Sequence, residues 1–389
     1  MSTVLSEAFP LRTSDEAQLR ELGQALWDWN LCGVCSEDSN CSRPSCPWSR
    51  QKRLQVFWKR YKSITEAYVP EFSPEKPALS SHDDLLKIIR VIRSRYGVPR
   101  QELMRCCFAD RLPDAFSHAV DTDQNRAMNI AASIMFLTNC GTSYECADFL
   151  EDGGSSVTWQ DDVAASTFVA GAYPVKVHPY FDETSQEYNA VAVIEMLTAK
   201  RLVNAGFKIV PTDDLRSHLT LDYCRKKREL RVFHCPAVLR EMLLASKDAQ
   251  TAPLLPRGLA LETLDTLHHV LFPSNCSTQT LVSTLVRRHG FDEDVLQYAS
   301  TRYRRDDDSE CTYAYFGNRL AEIYDEMQDP APRRGWERWL QKYSAQRYML
   351  MVTTIGVCIA VVLGFLSLSV SAFQAWVSWQ QWKHSVKQG

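Results

Sequence analysis

The chain has 389 residues, of which 45% are hydrophobic and 11% aromatic, and its formal net charge is -3 at pH 7. This composition supplies a packed core and excludes disorder over most of the chain. The near-neutral charge gives no indication that nucleic acid is a partner. The 13 cysteines, with Cys106 and Cys107 adjacent, suit a disulfide framework poorly and favour a reducing compartment.

Residues 1–70 form the first predicted unit, an N-terminal helical region. Their beginning mixes acids and bases and has no apolar core of the kind found in a secretory signal peptide. The segment from Thr13 to Glu16 is typical of a capped helix start, and leucines recur on one face of the helix that follows. A second helix is predicted at 49–68. The proline-rich stretch after it indicates a linker and a domain boundary.

Four cysteines are clustered between these two helices. They follow a C-x2-C-x5-C-x4-C spacing: Cys32, Cys35, Cys41 and Cys46. Four thiolates can close a tetrahedral zinc site, and a loop this short has little else to bury. The spacing is close to that of a zinc knuckle, although it is one residue longer and has cysteine in place of histidine. Two interpretations follow, a zinc ion held by the cluster or four loop cysteines without a metal.

A basic stretch follows the cysteine cluster, interleaved with aromatic residues. It contains no acid and these basic residues: Arg50, Lys52, Arg53, Lys59, Arg60 and Lys62. Such a stretch fits contact with the phosphates of nucleic acid or of anionic lipid. It also fits the solvated face of an amphipathic helix, which is the commoner case. For a chain held at a membrane, lipid is the better of the two phosphate partners.

Residues 81–330 form the second predicted unit, a mainly helical cytosolic region. Periodic apolar residues predict helices at these positions: 83–95, 100–108, 124–138, 190–204, two between 259 and 291, and 313–327. Another helix is predicted to begin at Pro236. Short strands are predicted at 207–210 and 229–234, separated by a brief helix that Thr212 caps. Residues 141–175 are predicted to be irregular.

The expected fold class is mainly α with one small β element (α+β), together with a single C-terminal transmembrane helix. The helical predictions cover most of 81–330, whereas the two strands are short and lie close together in the chain. No internal repeat period is present, so a solenoid is not expected.

His218, Asp222 and His234 are histidine and carboxylate residues that a hairpin could bring together, with Asp213 and Asp214 beside them. Such groups can bind a metal or supply a catalytic base. In the alternative interpretation they are structural. Asp213 and Asp214 then lie in the first turn of the predicted helix and His218 in its last, where the helix dipole favours them. His234 would then lie apart from His218, with no shared pocket.

A transmembrane helix is predicted at 348–372. No residue is charged between Arg347 and Lys383. The most apolar stretch, from Leu350 to Val370, spans about 31 Å as a helix, close to the hydrocarbon thickness of a bilayer. The predicted short tail at 373–389 carries residues typical of a membrane interface: Trp376, Trp379 and Trp382.

Residues 333–347 precede this helix and set its predicted orientation. They contain five basic residues and a single acid, whereas only two lysines and a histidine follow the helix. The excess of positive charge predicts that the N-terminal side faces the cytosol. Aromatic residues at helical spacing predict either an amphipathic juxtamembrane segment or a continuation of the membrane helix into water. A span this close to the chain end is typical of a tail-anchored protein of the endoplasmic reticulum or another endomembrane.

Three small residues share one face of the predicted membrane helix: Gly356, Ala360 and Gly364. Small residues at this spacing let two helix backbones approach closely, so a homo-oligomer formed through the membrane helix is one interpretation. Glycine is also ordinary in membrane helices, and the alternative is that these positions are incidental.

Several short strings occur between residues 80 and 382: Asp123-Gln124 with Arg126-Ala127, Asn139-Cys140, Thr212-Asp213-Asp214-Leu215 with His218-Leu219, Leu221-Asp222, Phe233-His234, Tyr315-Phe316-Gly317 with Arg319-Leu320, Ile323-Tyr324, and Gly335-Trp336. Together they resemble a family of uncharacterised membrane proteins from filamentous fungi. This resemblance implies a C-terminal transmembrane helix and no established activity or catalytic residues. The four-cysteine cluster is outside what the resemblance covers.

Two classes of function remain. In the first, the chain is a tail-anchored scaffold or regulatory interaction module, with the lipid bilayer and unidentified proteins as partners. In the second it is a membrane-tethered enzyme that uses residues 213–234 either as a metal site or as a catalytic base. The first class needs nothing that the sequence lacks, so we prefer it. Zinc at the four-cysteine cluster is one of the two interpretations given above, and no other cofactor is expected.

Overall fold

The computed structural model describes these residues: 9–32, 46–70, 77–109, 118–141, 156–224, 227–247, 253–274, 276–297, 303–308, 311–328 and 349–385. The chain divides into two compact units, Met1–Gln328 and Asp329–Gly389. The first is mostly helical with a small three-stranded sheet, and the second contains one long apolar helix. The predicted fold class, mainly α with a small β element and a C-terminal apolar helix, is therefore confirmed.

The described part of the first unit contains twelve α-helices in chain order. Their bounds are: α1 Glu16–Trp27, α2 Gln55–Glu66, α3 His82–Ser94, α4 Arg100–Cys107, α5 His118–Phe136, α6 Ala165–Ala172, α7 Ala190–Met196, α8 Ala199–Asn204, α9 Pro236–Ala245, α10 Arg257–Asp265, α11 Cys276–His289 and α12 Gly317–Gln328. Helix α10 continues into a π-helical turn at Thr266–Leu271. Shorter 3-10 turns lie at Pro47–Leu54, Pro179–Phe181, Leu215–Ser217 and Glu293–Leu296.

Helix α1 begins and ends as its sequence dictates. The Asp15 carboxylate accepts from the backbone N–H of Gln18 at 2.8 Å, and the Gln18 side chain accepts from the backbone N–H of Asp15 at 2.9 Å. This reciprocal pair is a capping box, which satisfies two otherwise unpaired donors. The helix ends at Trp27, and the C-cap residue Asp28 has φ 51 and donates its N–H to the Gln24 carbonyl.

The N-terminal helices share the core of the first unit. Trp29 Nε1 donates to the Glu241 carboxylate at 3.1 Å, and Arg50 Nε donates to the same carboxylate at 2.7 Å. Arg53 pairs with Asp294 at 2.7 Å. Beside these polar contacts lies an aromatic cluster: Trp27, Trp29, Trp48, Phe57 and Trp58.

Three members of the basic stretch are used inside the protein. Arg50 and Arg53 form the ion pairs described above, with about a third of each side chain exposed, 30% and 33%. Arg60 is buried, with 7% exposed. Arg60 is therefore not part of a solvated helix face, whereas Arg50 and Arg53 are ion-paired within the fold and partly exposed. Residues far along the chain supply their partners, which a local pattern does not reveal. Contact of the stretch with phosphates stays a prediction.

The sheet contains β1 Phe207–Thr212, β2 Thr220–Cys224 and β3 Lys227–Phe233, in the order β1-β3-β2. Strands β1 and β3 are parallel, with Thr212 opposite Phe233. Strands β2 and β3 are antiparallel, joined as a hairpin. The carboxyl ends of β1 and β3 therefore lie side by side, and the residues that follow the two strands are neighbours.

Several predicted elements differ from the structure. The brief helix predicted after Thr212 is only the 3-10 turn Leu215–Ser217, and Asp214 rather than Thr212 caps it by accepting from the Arg216 N–H. Strand β2 was not predicted. The predicted helix at 190–204 is two helices, because Thr198 has an extended backbone between them. Helix α6 occupies part of the stretch that was predicted to be irregular.

The second unit is described from Met349 to Ser385, all of it one helix, α13. Its 37 residues correspond to about 56 Å, longer than the hydrocarbon core of a bilayer. The helix therefore includes most of the predicted tail. The predicted juxtamembrane segment, 333–347, lies outside the described residues.

Candidate functional site

The strongest cluster of chemically active side chains lies at the ends of the two parallel strands. Asp213 directly follows β1, and His234 directly follows β3. Because these strands are parallel and in register, both residues emerge at the same edge of the sheet. Cys235 comes next and is the N-cap residue of α9, whose first helical residue is Pro236. Two strand ends and one helix start thus position three side chains.

Hydrogen bonds join the three side chains. His234 Nε2 lies 2.9 Å from Asp213 Oδ1, and Cys235 Sγ lies 3.8 Å from the same oxygen. One ligand atom from each residue lies within 4.8 Å of those of the other two. The His234 side chain is 8% exposed and the Asp213 side chain 46% exposed. The cluster is therefore buried on the imidazole and thiol side and open to solvent through the carboxylate.

One atom of this cluster has no hydrogen-bond partner. His234 Nδ1 is buried and unpaired, although the ring packs edge-on against Phe291, with centroids 5.7 Å apart. A buried polar atom without a partner costs about 1–3 kcal/mol, so such atoms are rare in native proteins. Burying the His234 ring in this position therefore lowers the free energy of unfolding of the protein.

The surroundings shift the pKa values of the Asp213 carboxyl and the Cys235 thiol in opposite directions. Burial raises the pKa of Asp213, but the hydrogen bond from His234 and the charge of Arg60 outweigh it, and the net pKa is below the usual range. Burial also raises the pKa of Cys235, to well above its usual value, and the neighbouring Asp213 charge adds to this. At neutral pH the pair is therefore a carboxylate beside a protonated thiol.

The buried carboxyl of Asp292 is also close to the cluster. Burial raises its pKa to about 6, although the N–H of Asp294 and the charges of His234 and Arg240 oppose the rise. Asp292 and Asp213 both act electrostatically on the Cys235 thiol. The cluster therefore has a second carboxyl in its surroundings, that of the residue that caps the 3-10 turn Glu293–Leu296.

His218, the first of the predicted site residues, is engaged in a different place. Its Nδ1 accepts from the Phe233 backbone N–H at 3.1 Å, so the ring proton is on Nε2, which donates to Thr266 Oγ1 at 2.8 Å. The Thr266 hydroxyl in turn donates to the Thr263 carbonyl. Burial lowers the pKa of His218 well below its usual value, so the ring is neutral. Both nitrogens are thus used within the fold.

Asp222 lies on β2 and forms an ion pair with Arg231 of β3. Its side chain is 43% exposed. The three predicted residues therefore make separate contacts: His218 with Thr266 and Phe233, Asp222 with Arg231, and His234 with Asp213. Of the carboxylates considered from sequence, Asp213 is the one that the structure places on His234.

Cys235 was missed by sequence reasoning. The alternation of side chains along a strand predicts that neighbours of His234 face elsewhere, but β3 ends at Phe233, and alternation no longer applies beyond it. The available signal was the dipeptide His234-Cys235 directly before Pro236, which indicates a strand end and a helix start at one point.

The predicted zinc cluster is only partly described. Cys32 and Cys46 are described, and Cys46 is buried with 2% exposed, directly before the turn Pro47–Leu54. Cys35 and Cys41 lie outside the described residues. Zinc binding by these four cysteines stays a prediction.

Helix α13 contains the segment Thr353–Trp382, which is long and apolar enough to cross a membrane, with a hydropathy of 2.4. Its side chains are exposed apart from the half-buried Val377. The predicted interface tryptophans, Trp376, Trp379 and Trp382, are more than half exposed, at 54%, 53% and 66%. A Cβ added at Gly356 or Gly364 would meet nothing within 4 Å, so the face that includes Ala360 has room for a neighbour.

No family model matches the chain, and no curated protein or solved structure is significantly similar to it. The resemblance to fungal membrane proteins therefore stays an expectation from the sequence. What the chain does has to be inferred from its own residues and their geometry.

Proposed function

We propose that α13 is a single-pass membrane anchor and that the preceding unit is a cytosolic scaffold or regulatory interaction module. The observation that carries this proposal is the 30-residue apolar segment Thr353–Trp382, whose side chains are exposed. An apolar surface of this extent is costly in water and is stabilised by lipid. The endoplasmic reticulum or another endomembrane is the proposed location, and unidentified proteins are the proposed partners.

The orientation rests on charge. Residues 333–347 carry five basic side chains and a single acid, whereas Lys383 and Lys387 are the only lysines after the span. Positive residues are retained on the cytosolic side of a membrane, which supports a cytosolic first unit. A protease-protection assay on intact microsomes tests this. An N-terminal epitope tag should be digested from outside, whereas protection of that tag would reverse the orientation.

An interaction module is favoured over an enzyme because most of the described candidate residues are bonded to other residues of the fold. His218 has both nitrogens bonded within the fold, and Asp222 is paired with Arg231. The protonated Cys235 thiol is a poor nucleophile, because the thiolate is the reactive form. The second candidate function, a membrane-tethered enzyme, is supported by the Asp213, His234 and Cys235 cluster, since the carboxyl ends of parallel strands are common ligand sites.

The two functions differ in what a soluble copy of the first unit does. An unanchored scaffold competes with the membrane-held protein for partners, whereas an unanchored enzyme does not. We expect that overproducing a fragment of residues 1–332 beside the full-length protein reproduces the phenotype of a strain that lacks the protein. Fusing the same fragment to an unrelated membrane anchor should relieve the effect. If the fragment accumulates in excess and produces no phenotype, the proposed scaffold function is contradicted.

A further inference from the structure

We infer that Asp213, His234 and Cys235 bind a divalent transition-metal ion of the zinc type. The inference goes beyond the proposed function, because an interaction module needs no metal. It also concerns other residues than the predicted four-cysteine cluster. The three residues supply a carboxylate oxygen, an imidazole nitrogen and a sulfur atom, all within 4.8 Å of one another. In the described part of the chain no second group of this kind occurs.

The two separations from the Asp213 oxygen are close to those around a tetrahedral ion. Bonds of about 2.0–2.3 Å to oxygen, nitrogen and sulfur place tetrahedral ligands roughly 3.3–3.6 Å apart. In the structure, His234 Nε2 and Cys235 Sγ lie 2.9 Å and 3.8 Å from Asp213 Oδ1. Small shifts of these side chains therefore make room for an ion between them.

The donor set selects the class of metal. Sulfur and imidazole ligands favour zinc and its neighbours, whereas magnesium and calcium prefer oxygen alone. The Asp213 carboxylate and the Cys235 thiolate together neutralise a divalent ion, and the thiol proton goes to solvent when the sulfur binds. When Nε2 becomes the ligand, the proton that it carried moves to Nδ1.

The unpaired Nδ1 atom of His234 lies on the other side of the ring from Nε2, so it bears on how the ligand would be held rather than on where the ion lies. His234 is 6% exposed, and its Nδ1 is buried without a hydrogen-bond partner. Such atoms in native proteins call for an explanation, of which an ion or a functional role is one. Metal-bound histidines usually donate their second N–H to a carboxylate, a backbone carbonyl or water. The buried Asp292 lies within electrostatic range of His234 and has the chemistry of such an acceptor.

Three protein ligands leave the fourth tetrahedral position open, as in catalytic rather than structural zinc sites. The partly exposed Asp213 connects this position to solvent. The charge of Arg60 acts on both Asp213 and Cys235, which weakens cation binding and favours a negatively charged fourth ligand. The open position should therefore take hydroxide or a small anion.

Cobalt substitution tests the site with the full-length protein in detergent micelles. Co²⁺ takes the geometry of zinc, and a thiolate ligand gives it a near-ultraviolet charge-transfer band. The parent chain should carry Cys35→Ser and Cys41→Ser, so that the predicted four-cysteine cluster cannot contribute. We expect this parent to bind one Co²⁺ per chain with a thiolate band. Absence of bound Co²⁺ would overturn the inference.

Matched variants assign the ligands. Cys235→Ser should abolish the thiolate band, whereas Cys311→Ser, at a partly buried cysteine outside the cluster, should leave it unchanged. Asp213→Asn, at a partly exposed position, should weaken Co²⁺ binding at least about tenfold. Its thermal unfolding without metal shows whether the fold is intact. A band that persists in Cys235→Ser, or unchanged affinity in a folded Asp213→Asn protein, would contradict the proposed ligands.

Discussion

Among single residues, His218 and His234 show how burial alone fails to define a role. Both rings are buried, at 0% and 6% exposed. The His218 ring has a partner on each nitrogen, whereas the His234 ring has one on Nε2 and none on Nδ1. The decisive partner of His218 is Thr266, which is 48 residues away and belongs to another helix. Sequence identifies both histidines as candidates, but only the fold distinguishes them.

Glu262 is a second buried group that sequence did not single out. It lies on α10, and its carboxylate accepts from the backbone N–H groups of Tyr315 and Phe316. These donors are just ahead of α12, which begins at Gly317. Burial raises the pKa of Glu262 to about 7, although the backbone hydrogen bonds oppose the rise. A distant carboxylate thus caps the start of a helix.

This raised pKa predicts a pH-dependent stability. In the unfolded chain Glu262 loses its proton near its ordinary value of 4.5, whereas in the fold it retains it to about 7. The folded state therefore binds more protons in this window, and its stability falls as pH rises through it. Glu262→Gln cannot titrate, so its melting temperature should fall less than that of the parent between about pH 5 and about pH 8.

Thermal unfolding of the full-length protein in detergent measures the difference. Glu322→Gln, at an exposed position on α12, is the matched control and should follow the parent curve. An equal slope for Glu262→Gln and the parent would mean that Glu262 keeps an ordinary pKa in the fold.

The elements of this fold could be predicted where a signal is local. The start of α1 was predicted from its capping residues, and the Asp15 capping box confirms it. Strand β2 was missed because Thr220–Cys224 is short and its pairing with β3 is what defines it. Helix α6 was missed because Ala165–Ala172 has no side-chain cap and no charged residue. Helix α6 is stabilised by the packing of its buried side chains and not by capping residues at its ends.

The candidate site was predictable to a similar extent. The strand ends that bring Asp213 and His234 together follow from two short strands, of which the sequence predicted both. Their parallel register, with Thr212 opposite Phe233, is a long-range property that no local pattern contains. Cys235 depends on that register and on where β3 ends, so sequence reasoning omitted it.

Helix α13 carries a prediction about association in the bilayer. Replacing Gly356 and Gly364 with isoleucine should weaken crosslinking of the full-length protein, because bulky side chains prevent close approach of two backbones. The space beyond both glycines is open, so the replacements need not disturb the helix itself. Crosslinking in native membranes, followed by gel electrophoresis, measures the dimer fraction.

Val362→Ile is the matched control for this experiment. Val362 is exposed and lies on the far side of the helix from the glycine face. Its replacement should leave crosslinking unchanged. If the glycine replacements also leave it unchanged, the small residues are incidental and the helix is an anchor only.

At the scale of the whole molecule, the chain has one described helix suited to a bilayer, within its second unit. A chain that ends at Pro332 should therefore be soluble, folded and monomeric, because the first unit, Met1–Gln328, is compact by itself. Sedimentation of membranes followed by immunoblotting of the supernatant checks this. Retention of the truncated chain on membranes in high salt would reveal a second insertion site.

The bonds from Trp29 and Arg50 to Glu241 have a consequence for how the chain is made. Trp29 and Glu241 are 212 residues apart. At a synthesis rate of about 5–20 residues per second, roughly 10 to 40 s pass between the appearance of the first and the second. During that interval the tryptophan-rich N-terminal segment has left the ribosome without the helix that completes its packing. Newborn chains therefore expose the aromatic side chains of this segment before these can pack, and we expect chaperones that act during translation to bind it.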